Sequence, residues 1–138
     1  MKIDFRNTAF RRATSRSGFT LVEIMIVVLI IGLLAMIAIP NVKRALEKAR
    51  LQAIKVNLRT IDNVKTQWAA ENKKGGNEVP SEADLAPYFN GSKFPSPVVG
   101  ETYQINAVDA APLAVTPSKL LDIPQGGTIT MDDAGPGK

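Results

Sequence analysis

The chain has 138 residues, with 17 basic and 13 acidic side chains, and it contains neither cysteine nor histidine. This composition excludes disulfides, thiolate zinc sites, imidazole metal ligands and acid–base catalysis by histidine. The length allows one modest globular domain beside a membrane segment. No nucleophile–base pair or phosphate-binding loop is recognisable, so we expect a protein that is not an enzyme and holds no cofactor or metal.

The excess positive charge lies entirely at the N-terminus. Residues 1–18 hold five basic side chains against Asp4, and the rest of the chain holds twelve of each sign. A basic leader before an apolar run is typical of a segment retained on the cytoplasmic side of a membrane. A nucleic-acid groove would need basic residues gathered on the folded part, so we expect no direct nucleic-acid binding. The basic residues of the leader are Lys2, Arg6, Arg11, Arg12 and Arg16.

The first predicted element is a membrane-spanning helix from Phe19 to Ile39. The run has 21 residues, and Glu23 is its one ionisable side chain. As a helix it would span about 31 Å, which is the thickness of a hydrocarbon core. An unpaired charge in this setting costs roughly 2.5–3.5 kcal/mol on insertion scales. We therefore expect Glu23 to have a functional partner, namely an amine.

Residues 41–74 predict an amphipathic continuation of this helix, because two apolar stripes recur at helical spacing. Two stripes indicate contact on more than one side, so we expect the C-terminal part to pack on the protein's own globular region. Pro40 should kink or locally melt the helix, and Lys73-Lys74-Gly75-Gly76 should end it. One stripe comprises Val42, Leu46, Ala49, Ala53 and Val56, and the other comprises Leu51, Ile54, Leu58, Ile61, Val64 and Trp68.

Residues 75–138 predict a small globular region built from short elements. Ser81-Glu82-Ala83-Asp84 resembles a capping box, which should begin a short helix through Tyr88-Phe89. Three further segments read as strands, and we expect them to lie antiparallel on the long helix. These segments are Thr102–Val108, Leu113–Thr116 and Thr128–Met131. The tail from Asp132 to Lys138 should be frayed.

Three weaker patterns have ordinary structural explanations. The acidic residues near the C-terminus lack the spacing of a calcium loop, so we expect solvated turns there. Asn90-Gly91-Ser92 matches a glycosylation pattern, but Asn-Gly favours a turn, which we expect instead. The aromatic residues are more typical of a small core than of a stacking surface. The acidic residues are Asp109, Asp122, Asp132 and Asp133, and the aromatic residues are Trp68, Tyr88, Phe89, Phe94 and Tyr103.

The start of the apolar run resembles the N-terminal segment of a known family. Gly18-Phe19-Thr20-Leu21-Val22-Glu23-Ile24, with Gly32 inside the run and Pro40 closing it, is similar to type IV pilins and to the pseudopilins of type II secretion. The resemblance covers roughly residues 11–60. It implies an α+β, pilin-like fold, in which a long membrane-spanning N-terminal helix packs on a small antiparallel sheet of about three short strands.

The resemblance also implies roles for individual residues. A membrane peptidase would cut between Gly18 and Phe19 and methylate the new amine of Phe19, and Glu23 would guide assembly. The new amine is cationic at neutral pH, so pairing with Glu23 offsets the cost of burying either charge. A pair within one chain is possible, because four residues make about one helical turn. A pair between subunits would in addition fix a stagger along a filament, and we take this version as the hypothesis. Gly32 permits close helix packing, although glycine also occurs in membrane helices without a partner.

Taken with the composition, the resemblance implies four parts in the chain. These are a basic leader (1–18), a transmembrane and assembly half of the long helix (19–40), an amphipathic half (41–74) and a globular region (75–138). The chain would cross the inner membrane once, with its C-terminal region outside the cytoplasm. Its partners would be the lipid bilayer, a prepilin peptidase and methyltransferase, and an inner-membrane assembly platform.

The implied function is that of a structural subunit, which polymerises with itself and with other pilin-like subunits into a pilus or a secretion pseudopilus. One alternative is a minor subunit that primes assembly or binds cargo; in this family such subunits often lack the assembly glutamate. Another is a monomeric signal-anchored domain, which would not need the junction at Gly18. The short domain and the absence of cysteine favour a major secretion pseudopilin or a small pilin. Motility and DNA uptake remain open as the process served.

Overall fold

The computed structural model describes residues 18–132, which divide into two units at the Ile37–Ala38 junction. The predicted leader up to residue 17 and the tail from residue 133, including Asp133, lie outside the described residues. One long helix followed by short strands confirms the predicted α+β class. The elements are helix α1 (Leu21–Asn72), helix α2 (Glu82–Leu85), a 3₁₀ turn (Ala86–Tyr88), and strands β1 (Thr102–Gln104), β2 (Leu113–Val115) and β3 (Thr128–Ile129).

The described part of the first unit is the apolar N-terminal segment of α1. From Leu21 to Ile37 every large apolar side chain is more than half exposed. An 18-residue stretch of this helix is apolar enough to cross a membrane, and none of it is buried. Within residues 18–132, therefore, this surface has no protein covering it.

In the second unit, α1 contributes one buried stripe to the core. The predicted stripe from Leu51 to Trp68 is buried throughout. The other predicted stripe differs, because Val42, Leu46 and Val56 are each more than half exposed. The expectation that the C-terminal part of the helix packs on the globular region is thus confirmed. The second stripe is left open to another partner.

The sheet presents one buried side chain from each strand to the core. The strands are antiparallel in the order β1-β2-β3, and the register aligns Tyr103 with Ala114 and Ala114 with Ile129. All three side chains are buried. The rings of Phe89 and Phe94 meet edge to face at 5.4 Å, and those of Phe94 and Tyr103 at 5.9 Å. These aromatic residues belong to the core, as predicted.

The ends of the helices follow local rules. Helix α1 ends at Asn72, and Lys73 takes the left-handed conformation with φ 53° while the amide of Lys74 donates to the oxygen of Ala69 at 2.9 Å. This is the Schellman arrangement, with a lysine in the place where glycine is usual. The predicted capping box of α2 is present, since Ser81 and Asp84 exchange backbone-to-side-chain hydrogen bonds.

Helix α1 continues through Pro40 without interruption. Of the two effects expected at this residue, a local melt is therefore absent. The proline removes one backbone donor from the helix, and the backbone is helical on both sides of it. A kink at Pro40 stays a prediction.

A buried lysine fastens the loop after β1 to helix α1. The ammonium of Lys65 donates to the main-chain oxygens of Ile105 at 3.1 Å, Ala107 at 2.8 Å and Ala110. Its side chain is wholly inaccessible. Burial lowers the pKa of this ammonium, and the carboxylate of Asp62 at 3.7 Å opposes the shift. These contacts turn the carbonyls towards the helix, which explains why β1 ends at Gln104 and not at the predicted Val108.

A buried carboxylate fastens the segment before β1. Glu101 is almost inaccessible and accepts hydrogen bonds from the amides of Val98 and Val99 and from the hydroxyl of Tyr103. Asn57 of α1 donates to the same hydroxyl at 2.8 Å. Burial acts to raise the pKa of Glu101, but the hydrogen bonds from Tyr103 and the two amides outweigh it and lower the pKa.

Candidate assembly site

The predicted cleavage junction lies in a short non-helical stretch before α1. Gly18, Phe19 and Thr20 are all exposed, and helix α1 begins at the next residue, Leu21. The side chain of Phe19 is 85% exposed. A Cβ added at Gly18 would meet no atom within 4 Å, so contacts of a Cβ within the described chain do not require a glycine there. An accessible, non-helical peptide bond is the form in which a peptidase can bind a substrate.

Glu23 and Thr20 form a capping box at the start of α1. The amide of Thr20 donates to Oε2 of Glu23 at 2.8 Å, and the amide of Glu23 donates to the hydroxyl oxygen of Thr20 at 3.2 Å. The same hydroxyl lies 3.1 Å from Oε2. Two backbone donors that the helix leaves without partners are satisfied in this way. The carboxylate also sits at the positive end of the helix dipole.

Thr20 is a partner of Glu23 that the sequence analysis does not predict. The signal was present, because Thr20-Leu21-Val22-Glu23 has the same spacing as the capping box recognised at Ser81-Glu82-Ala83-Asp84. The apolar surroundings of Glu23 led to an amine as its expected partner. The structure gives this carboxylate a partner one turn away in its own chain.

The capping box leaves half of the carboxylate available. Both contacts from Thr20 reach Oε2, and no hydrogen bond from residues 18–132 reaches Oε1. A carboxylate offers about four lone-pair positions, so Oε1 can accept from an additional donor while the cap stays in place. Glu23 lies with four neighbours along a shallow groove of about 540 Å³, and these neighbours are Phe19, Ile24, Ile26 and Val27.

The other two predicted site residues lie further along α1. Gly32 lies nine residues after Glu23, and a Cβ added there would meet no atom within 4 Å. The described chain therefore gives no steric reason for glycine at this position. Pro40 follows eight residues later, inside the continuous helix. Gly18, Phe19 and Glu23 thus lie together at the helix start, while Gly32 and Pro40 do not contribute to this site.

Residues 14–39 match the family model described as the prokaryotic N-terminal methylation motif. The chain is 39% identical over 70 residues to the type IV major pilin protein PilA of Myxococcus xanthus, which covers 51% of this chain and 31% of PilA. It is 39% identical over 62 residues to the type II secretion system core protein G of Escherichia coli, and the match covers 44% of this chain and 43% of that protein. It is 34% identical over 59 residues to the type II secretion system core protein G of Aeromonas hydrophila, and the match covers 43% of this chain and 41% of that protein.

The matched segments span less than half the length of these relatives. No solved structure matches the chain. The family model covers the Gly18–Phe19 junction, Glu23 and Gly32 in a single segment. The N-terminal part of the chain is therefore similar to that of type IV pilins and type II secretion pseudopilins.

Proposed function

We propose that this protein is a structural subunit that polymerises through its N-terminal helix into a type IV pilus-like or type II secretion pseudopilus filament. The observation that carries the proposal is the start of α1. There an uncovered apolar surface contains one carboxylate, and one oxygen of that carboxylate has no donor within the described residues. Such a surface suits lipid first and neighbouring helices later. We propose no catalytic activity for the chain.

The first step is processing of the subunit at the inner membrane. The basic leader stays in the cytoplasm, α1 crosses the bilayer once, and the globular region lies outside the cytoplasm. A prepilin peptidase cuts the exposed bond between Gly18 and Phe19 and methylates the new amine. Removal of residues 1–18 takes away the charges that oppose withdrawal of the helix from the membrane. An assembly platform in the same membrane then takes the subunit into the filament.

Assembly, in this proposal, adds a donor to Glu23 without dismantling its cap. The Phe19 amine of one subunit approaches the free Oε1 of a neighbour, while Thr20 keeps its contact with Oε2. Two charges that are costly alone in apolar surroundings then offset each other. A subunit out of register would leave both unpaired, so the burial cost favours one stagger. The outward stripe at Val42, Leu46 and Val56 extends the apolar contact beyond the membrane segment.

Two measurements test the proposal. Mass spectrometry of the mature N-terminus should find an N-methylated Phe19, and an intact Met1 or a cut beyond Pro40 would refute the processing step. Glu23→Gln should insert, fold and be processed as the parent does, yet yield no ordered filament. Glu78→Gln, at an exposed position on the globular part, is the matched control and should assemble normally.

The register hypothesis needs a direct view of the filament. A reconstruction at side-chain resolution should place the Phe19 amine of one subunit within hydrogen-bond distance of Glu23 in the next. Pairing of these groups only within one chain would leave the subunit role intact and remove the stagger mechanism. Normal filaments from Glu23→Gln would remove the role of Glu23 altogether.

A further inference from the structure

Four cations without ion pairs lie on α1 directly after the predicted membrane span. Lys43, Arg44, Lys48 and Arg50 are all exposed, and we call this set the basic face. Within residues 18–132 the one ion pair closer than 4 Å joins Lys65 to Asp62. None of the four cations is therefore neutralised by a contact in the described chain.

The basic face occupies one side of the helix. At about 100° per residue, its four members fall within an arc of about 160°. The exposed stripe residues Val42, Leu46 and Ala49 fall outside this arc, on the opposite side. The same helix segment thus presents apolar side chains in one direction and cations in the other. This division would let a neighbouring helix pack on the apolar side while the basic face stays accessible.

Two carboxylates lie near the basic face without cancelling it. Glu47 is in the same arc, which leaves a net charge of three positive over residues 41–50. Asp122, with Leu121, lines a cleft of about 380 Å³ together with Arg44, Glu47 and Lys48. Neither carboxylate comes within 4 Å of a cation of the basic face, so the cations remain free to bind an external anion.

The place of the basic face along the helix puts it level with the headgroups of a bilayer that the helix spans. At about 1.5 Å per residue, Lys43 and Arg44 lie about 6 to 8 Å beyond Ile39, the last residue of the apolar run. The headgroup layer of a bilayer is about 5 to 8 Å deep on each side of the hydrocarbon core. Long basic side chains also extend back towards the headgroups, and Lys48 and Arg50 add to the field within about a Debye length.

We propose that the basic face binds the phosphate groups of membrane phospholipids, with a preference for anionic lipids, and holds the unassembled subunit at the outer surface of the bilayer. The inference rests on the proposed membrane span but does not depend on assembly. Clusters of lysine and arginine on the cytoplasmic side of a membrane helix attract anionic headgroups, and the same attraction acts at the other surface where anionic lipids are present. Once the leader is removed, the basic face becomes the main positive charge flanking the span.

The test uses the full chain in phosphatidylcholine vesicles that contain a trace of spin-labelled phosphatidylglycerol or spin-labelled phosphatidylcholine. The fraction of labelled lipid immobilised at the protein gives the preference for the anionic headgroup. Replacing all four residues of the basic face with glutamine should reduce this preference by about fivefold or more. Salt at about 1 M, where the Debye length is about 3 Å, screens the leader as well as the basic face and should therefore reduce the preference of every variant.

A matched control carries Lys93→Gln and Lys119→Gln, two exposed lysines of the globular part, and should keep the parent's preference. The leader contributes equally in every variant, so the differences report the basic face alone. An unchanged preference after substitution of the basic face, or an equal loss in the control, overturns the proposal. If the substituted chain keeps its lipid preference but fails to form filaments, the face binds a second copy and not lipid. Because lipid preference is measured without assembly, this proposal and the filament proposal can fail independently.

Discussion

The ammonium of Lys65 lies 2.8 Å from the main-chain oxygen of Ala107, 42 residues further along the chain. This hydrogen bond, with two others from the same nitrogen, joins α1 to the loop between β1 and β2. A wholly buried ammonium is costly unless donors and acceptors are well matched. Here three carbonyl oxygens take the place of water, so the loop and the lysine depend on each other.

Replacing Lys65 with methionine should destabilise the globular part by about 3 kcal/mol or more, because three acceptors would lose their donor in a buried setting. Unfolding monitored by the fluorescence of Trp68 would measure the loss. Lys55→Met is the control, since Lys55 is also buried on α1 but makes no hydrogen bond within residues 18–132. Equal losses in the two variants would mean that the carbonyl contacts contribute little.

The lowered pKa of Glu101 predicts that the globular part loses stability in acid. Its pKa is lower in the folded chain, so the unfolded chain takes up this proton at a higher pH. The contribution of Glu101 is therefore complete above the usual glutamate pKa of about 4.3, and it is lost as the pH falls through the lowered value. Denaturation between neutral pH and acid should show this decline.

Glu101→Gln should flatten the acid decline that is due to this carboxyl. At neutral pH it should cost about 2 kcal/mol, because an amide cannot accept the hydrogen bonds of Val98, Val99 and Tyr103 as a carboxylate does. Chemical denaturation at a series of pH values measures both effects. A variant that keeps the full acid decline of the parent would assign it to other groups.

Thr20→Val should loosen the first turn of α1 by about 1 kcal/mol, because the N-cap acceptor is removed while the size and branching of the side chain are kept. Hydrogen exchange at the amides of Glu23 and Ile24 in a bilayer should become faster. Thr20→Ser restores the hydroxyl and should restore protection. If both variants exchange as the parent does, the capping box does not operate in the membrane.

Gly32→Leu should not destabilise the isolated subunit, since no atom of the described chain lies within 4 Å of a Cβ added there and the neighbouring side chains of this segment are exposed. It should reduce the yield of filaments if neighbouring helices approach closely at this position. Sheared filament protein, measured against total subunit, gives the yield. Val28→Leu provides a control that enlarges an already exposed apolar position, and a normal yield from both would leave Gly32 without a packing role.

Periodicity predicted the long helix and its buried side from local sequence alone. The stripe from Leu51 to Trp68 repeats at helical spacing, and all of it lies in the core. The capping box at Ser81 and the three strands were also predictable, because turn residues and alternation are local signals. Strand β1 is shorter than predicted, because the long-range contacts of Lys65 with the loop after it act on its C-terminal end.

Lys65 could not be predicted from its neighbours. A lysine in an amphipathic helix usually lies on the solvated side, and nothing in its local sequence reveals acceptors that are 40 to 45 residues away. The Glu101 network has the same difficulty, since Asn57 reaches Tyr103 across 46 residues. The cap at Thr20 differs from these two cases, because the spacing of Thr20 and Glu23 is itself a local signal of a capping box.

The three acceptors of Lys65 belong to the backbone, so the contact places no demand on which side chains the loop carries. Substitutions on its outward positions would leave the attachment to the helix intact, provided that the chain can still follow the same path. The outward side chains of this loop are thus free to change while its attachment to the helix is kept. The buried Lys65 would in this way fix the path of the loop without fixing its outward side chains.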